Sequence, residues 1–168
     1  MADLGGFGAV NGNSAASGGG SGRTFICYST PTDFVSGKVT NFSVYLATYT
    51  SGDVKIKVFR VNGSNFDFVG ESAAKTPSGT GVNNFSVVTP FTVRAGDFIG
   101  VWLENSSIQI DVISSPTGSV RYKSGDVTSN DAIASYSNLG NYYLCMEATG
   151  DLSTITVTTP KQYQVTQR

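Results

Sequence analysis

The chain contains no histidine, and charged residues fill only 14% of its 168 positions. Without histidine there is no Ser-His-Asp or Cys-His nucleophilic arrangement, no imidazole general base and no His-ligated zinc. Charge is balanced as well as scarce, with 11 Lys and Arg against 12 Asp and Glu. No strong field therefore draws the chain to nucleic acid or to an acidic membrane. Cysteine is limited to Cys27 and Cys145 with no CxxC spacing, which removes the usual metal and redox motifs. Both thiols are expected to be buried and reduced, with a disulfide between neighbouring terminal strands as the alternative. No apolar run reaches the roughly 18 residues of a membrane helix. The start, Met1-Ala2-Asp3-Leu4-Gly5-Gly6, lacks the basic and apolar regions of a signal peptide. Gly37-Lys38 is followed by Val39 with no glycine five positions earlier, and Gly-x-Ser-x-Gly is absent, so neither a phosphate loop nor a nucleophile elbow is present.

What the chain does have is glycine, hydroxyl and amide side chains, and a two-residue period. Eight of the 20 glycines fall in residues 1–23. Glycine loses the most backbone freedom on ordering, so this composition disfavours both helix and strand. Residues 1–23 are read as an arm, anchored by Leu4, Phe7 and Val10. From Thr24 the pattern changes. Phe42, Val44 and Leu46 alternate with Asn41, Ser43 and Tyr45, and Val54, Ile56 and Val58 alternate with Lys55, Lys57 and Phe59. Such alternation marks half-buried strands. Asn62-Gly63 suits a type I′ turn, so residues 53–71 are expected to form a hairpin. Asn84 to Thr89 reads as a strand broken by Pro90, with Phe91-Thr92-Val93 continuing after the break and Arg94-Ala95-Gly96-Asp97 as a turn. Phe98 to Glu104 is apolar on both faces and reads as a central strand, with Trp102 in the core. Residues 124–141 read as a long loop; Tyr142 to Thr149 and Ser153 to Thr158 are the last strands.

Nothing shows apolar residues at helical spacing. The fold class is therefore all-β: an antiparallel β-sandwich, a jelly roll by preference, with about nine to eleven strands. Residues 24–158 form the sandwich domain, between the arm and a polar tail over 159–168.

Candidate chemistry is sparse. Asp53, Asp67, Glu71, Asp97, Glu104, Asp111, Asp126, Asp131 and Glu147 are the carboxylates that a glycosidase-like pair would draw on, and no spacing favours any two. Glu104 and Glu147 stand in strand-like positions where burial raises a carboxyl pKa. Asp126, Asn130 and Asp131 share a loop, but without EF-hand spacing. Tyr45, Tyr49, Tyr122, Tyr136, Tyr142 and Tyr143 are candidate sugar-stacking platforms, against the plainer reading of cross-strand packing. Lys55, Lys57 and Arg60 read as the solvated face of one strand. The sequons at Asn41, Asn62, Asn84 and Asn105 read as ordinary polar strand and turn residues. No catalytic residue, cofactor or metal ligand set is expected.

The run Val54-Lys55-Ile56-Lys57-Val58-Phe59-Arg60 and the turn Val93-Arg94-Ala95-Gly96-Asp97-Phe98-Ile99-Gly100 resemble sandwich domains of bacteriophage virion proteins and bacterial surface proteins. With its Gly/Ser-rich arm and Ser/Thr/Asn-rich composition, the chain is similar to phage head decoration, or cement, proteins. The resemblance implies binding to the major capsid protein or other virion subunits and a homo-oligomer, a trimer by preference. It implies no nucleic-acid or membrane partner, and location in the virion. Ordering an arm costs roughly 1–2 kcal/mol per residue, so extensive contact with neighbouring subunits is expected to hold it. The expected partner-binding residues are Leu4, Phe7 and Val10 in the arm and Tyr163 and Val165 in the tail. The alternative is a carbohydrate-binding or host-adhesion module of a tail or cell-surface structure.

Overall fold

The computed structural model describes residues 2–7, 16–19, 22–28 and 35–152, the first two stretches as backbone alone. The strands are β1 (Ala2–Phe7), β2 (Ala16–Gly19), β3 (Arg23–Cys27), β4 (Gly37–Tyr49) and β5 (Val54–Asn62). There follow β6 (Asn65–Glu71), β7 (Gly81–Val93), β8 (Phe98–Leu103), β9 (Ile108–Ser114) and β10 (Val120–Ser124). The last are β11 (Asp131–Ala132), a 3₁₀ turn over Ile133–Ser135, β12 (Ser137–Gly140), β13 (Tyr142–Leu144) and β14 (Met146–Leu152).

The fold is an antiparallel all-β sandwich. One sheet runs β11-β6-β5-β8-β3-β10-β12. The other is built on β4: β7 lies along one edge, while β14 and then β9 share the opposite edge. β1 extends this sheet beyond β14, and β2 and β13 pair with β9. Alternation explains how the sheets pack. Phe42, Val44 and Leu46 of β4 and Ile110 and Val112 of β9 meet Phe25, Ile56, Val58, Val101 and Leu103 of the facing sheet in one buried core.

Several expectations hold. The hairpin forms as β5 and β6, with Gly63 at φ +60° in its turn. β8 lies between β5 and β3 and is buried on both faces. Gly100 is the close-approach point of this strand, because a Cβ there would sit 2.5 Å from the Phe25 carbonyl oxygen.

Others are corrected. Two strands, β1 and β2, form in the glycine-rich segment, since backbone pairing with β14 and β9 needs no side chain. The break at Pro90 with the strand resuming at Phe91 is found as expected, and both halves belong to the one strand β7. β7 is an edge strand, and its register slips from Val39↔Phe91 to Asn41↔Ser86, so the residues between bulge away from β4. A missing N–H is tolerated at an edge and at a bulge. Residues 124–141 are no open loop: they hold β11, the 3₁₀ turn and β12, and the stretch from Gly125 to Tyr136 folds over the outer face of the sheet that contains β5. There Val127 and Tyr136 join Ile26, Phe59, Phe66 and Phe98 in a second apolar cluster. No disulfide joins the buried Cys27 and Cys145. The expected strand at Ser153 to Thr158 and the tail lie outside the described residues. Among the described residues no helix is long and apolar enough to cross a membrane.

Candidate functional site

Three surface features hold chemistry, and each follows from strand alternation. The first is the outer face of the β4 sheet. Asn41 and Ser43 of β4 stand beside Asn84 and Ser86 of β7 and Thr149 of β14 around a shallow hollow of 310 Å³. Ser43 Oγ donates to Asn84 Oδ1 across it at 2.6 Å. A second hollow, of 460 Å³, is lined by Tyr45, Ala47, Thr80, Gly81 and Asp111. It lies where β9 and β14 part company along β4. The Tyr45 amide donates to the Cys145 carbonyl, and the Cys145 amide donates to the Asp111 carbonyl, at 2.9 and 3.0 Å. Asp111 is buried at this fork; its Oδ1 accepts from the Val112 amide, and its Oδ2 has no partner among the described residues. Burial pushes its carboxyl above the usual carboxylate value. Burial, helped by that carboxylate, also pushes the Cys145 thiol up to about 11, so the thiol is inert.

The second feature is the rim of β7. None of its 13 residues is charged. Val82 is 48% and Val88 79% exposed, the latter on the bulge.

The third is a charge cluster between β5, β6 and the covering segment. Lys57 pairs across the hairpin with Glu71. Its side chain is 0% exposed; Nζ contacts Glu71 Oε2, lies 2.6 Å from Asp126 Oδ1, and donates to the Val127 carbonyl at 2.9 Å. Lys55 Nζ bridges Glu71 Oε1 at 3.2 Å and Asp126 Oδ2 at 2.6 Å. Burial opposes ionisation of Asp126, but hydrogen bonds and charge from Lys55 and Lys57 together outweigh it and hold its carboxyl below the usual value. Lys55 responds in the opposite sense: burial lowers it, yet Asp126 and Glu71 win and hold it high. Lys55 and Lys57 are thus no solvated face. Their strand alternates as expected, but the covering segment seals the face that carries them. Arg60 is half-exposed and makes a two-pronged pair with the buried Asp97 at 2.7 and 2.8 Å, which braces the Arg94–Asp97 turn.

The remaining candidates disperse. Trp102 is half-buried on the outer face under Lys55, whose Nζ lies 5.1 Å from the ring, and is not in the inter-sheet core. Asn130 accepts from the Phe68 amide and Asp131 pairs with Lys123, so Asp126, Asn130 and Asp131 face three different partners. Among the described residues no group of three or more His, Cys, Asp or Glu could hold a metal. Glu104 falls just beyond β8, is exposed and accepts from the Asp53 amide at 2.8 Å. Of the tyrosines, Tyr49, Tyr122, Tyr142 and Tyr143 pack against the main core and Tyr136 is buried in the second cluster, which leaves Tyr45 in a hollow. Leu4 and Phe7 lie on β1, described as backbone alone; Val10, Tyr163 and Val165 lie outside the described residues.

Sequence reasoning missed the charge cluster. The hairpin itself was legible, but the pairing of Lys57 with Glu71 was not: the turn falls on Gly63-Ser64, and a bulge between Val58 and Phe59 shifts the register so that Lys57 meets Glu71. Nothing local marked Asp126, which is 69 residues beyond Lys57. No protein-family model, curated protein or solved structure matches the chain.

Proposed function

We propose that the protein is a non-enzymatic structural subunit of a bacteriophage particle. It decorates the capsid and stabilises it by bridging neighbouring subunits, and it assembles as a homo-oligomer, a trimer by preference. The observation that carries this reading is the β7 rim. Edge strands of proteins that stay monomeric are commonly guarded by charge, especially lysine. This rim has a bulge and Pro90 but no charge, and it projects Val88 into solvent. Burial of such an uncharged edge against another protein favours association. The low overall charge is consistent with the same use of the surface.

The test is occupancy of particles stripped of the protein. Wild-type protein is expected to bind them saturably, and Val88→Lys to bind at least tenfold more weakly with an unchanged melting temperature. Equal occupancy by both proteins, or no binding by either, would remove the reading. A carbohydrate-binding or adhesion module is the second reading, favoured by Tyr45 and Asp111 in one polar hollow. Glycan-array binding that Tyr45→Ala abolishes is the result that would put it first.

A further inference from the structure

We propose that Lys57 and Asp126 become joined by an intramolecular isopeptide bond, with Glu71 carrying the protons. The Lys57 side chain is wholly withdrawn from water, with its Nζ 5.3 Å from the centre of the Phe68 ring. Two carboxylates face it. Glu71 Oε2 accepts a hydrogen bond from Nζ, the geometry for taking a proton. Asp126 Oδ1 is buried and lies 2.6 Å from Nζ, close enough for amine and carboxyl to react once both are neutral. Lys55 Nζ donates to the other oxygen, Oδ2, at 2.6 Å, where it would hold the negative charge that develops during attack. Nucleophile, electrophile, proton carrier and oxyanion partner are thus fixed within one cluster, the arrangement in which a slow condensation becomes effectively unimolecular.

The reaction balances within the protein. The Lys57 ammonium gives one proton to Glu71, which passes it to Asp126 Oδ1. A buried ion pair can relieve its desolvation in this way, and the neutral pair need only be visited. The amine lone pair then attacks Asp126 Cγ, forming the C–N bond and placing negative charge on Oδ2 beside Lys55. Glu71 takes a second proton from nitrogen and delivers it to Oδ1. The Cγ–Oδ1 bond breaks, one water leaves, and Glu71 is again a carboxylate. Lys57 keeps one N–H in the amide. The Asp126 side chain is 29% exposed, so the water has a way out. The product ties β5 covalently to the segment that covers its own sheet.

The test is the mass of the purified full-length protein after denaturation, with tryptic mapping. The expected result is a protein lighter than its sequence mass by one water, with a branched peptide joining Lys57 to Asp126. Lys57→Arg, Asp126→Ala and Glu71→Gln are each expected to restore the full mass. Wild-type protein that is folded by circular dichroism yet has the full sequence mass would overturn the proposal without recourse to any variant. A peptide joining Lys57 to Glu71, or a full mass deficit in Glu71→Gln, would overturn the assignment of roles.

Discussion

Asp111 and Lys57 are both buried and ionisable, and their surroundings treat them differently. Lys57 has two carboxylates and a carbonyl within reach, whereas Asp111 Oδ2 has no partner among the described residues. Burial without compensation disfavours the charged form, so the folded state holds the Asp111 proton more tightly than the unfolded chain does. Its contribution to stability is complete below the unfolded carboxyl value, about 3.9, and is lost as pH rises through the raised folded value. Asp111→Asn is therefore expected to raise the thermal midpoint at neutral pH. The gain should shrink as pH falls through the raised folded value, where wild-type Asp111 takes up its proton. Melts above and below that value check this, and a gain independent of pH would contradict it. Alternation placed both residues on the outer faces of their strands. Whether those faces stay wet was decided by segments remote in sequence.

β7 and the covering segment from Gly125 to Tyr136 show the same limit among elements. Read locally, Pro90 breaks a strand that resumes at Phe91. In the sheet it sits on a bulged edge, where no partner asks for its N–H. Read locally, residues 124–141 are polar and turn-rich. Folded, several of their polar groups bond to β3, β6 and the hairpin turn. Thr24 Oγ1 donates to the Gly125 carbonyl and accepts from the Val127 amide, Asn130 caps the Phe68 amide, and the Ile133 amide donates to the Ser64 carbonyl. At the far end Lys123 pairs with Asp131 and lies over the Tyr136 ring. The hydrogen bond from Lys123 holds the Asp131 carboxyl below its usual value. This contribution is complete above the unfolded value and lost as pH falls through the folded one. Acidification is thus expected to lower the protection factors of Ile133 and Tyr136, the exchange rates corrected for their intrinsic slowing in acid, before it affects that of Val101 in β8. Simultaneous loss of protection at all three would show that this segment does not open on its own.

The N-terminal strands bear on the molecule as a whole. Among the residues whose side chains are described, the buried inter-sheet core runs from Phe25 to Ala148, and β1 and β2 extend the β4 sheet by backbone pairing. Removal of residues 1–21 is expected to leave a cooperatively folding sandwich with a lower urea midpoint. It also uncovers the edges of β14 and β9, which favours self-association. Urea unfolding and light scattering measure both effects, and a truncated chain with no cooperative transition would mean that the sandwich depends on these strands to fold. If the arm serves in assembly, the same truncation also weakens particle binding.

The sequence by itself determined the fold class, the hairpin, the central strand and the absence of histidine chemistry. Two-residue alternation and turn chemistry are local, so they can be read without knowing where the chain goes next. The tertiary structure alone decided which strands lie at edges, which outer face is sealed, and which charges meet. Lys57 was placed correctly on the outward face of its strand, yet that face is dry because a segment 69 residues away closes over it. Only the folded chain shows the meeting of Lys57 with Asp126, because long-range contact sets both burial and electrostatics, and neither leaves a period in the sequence.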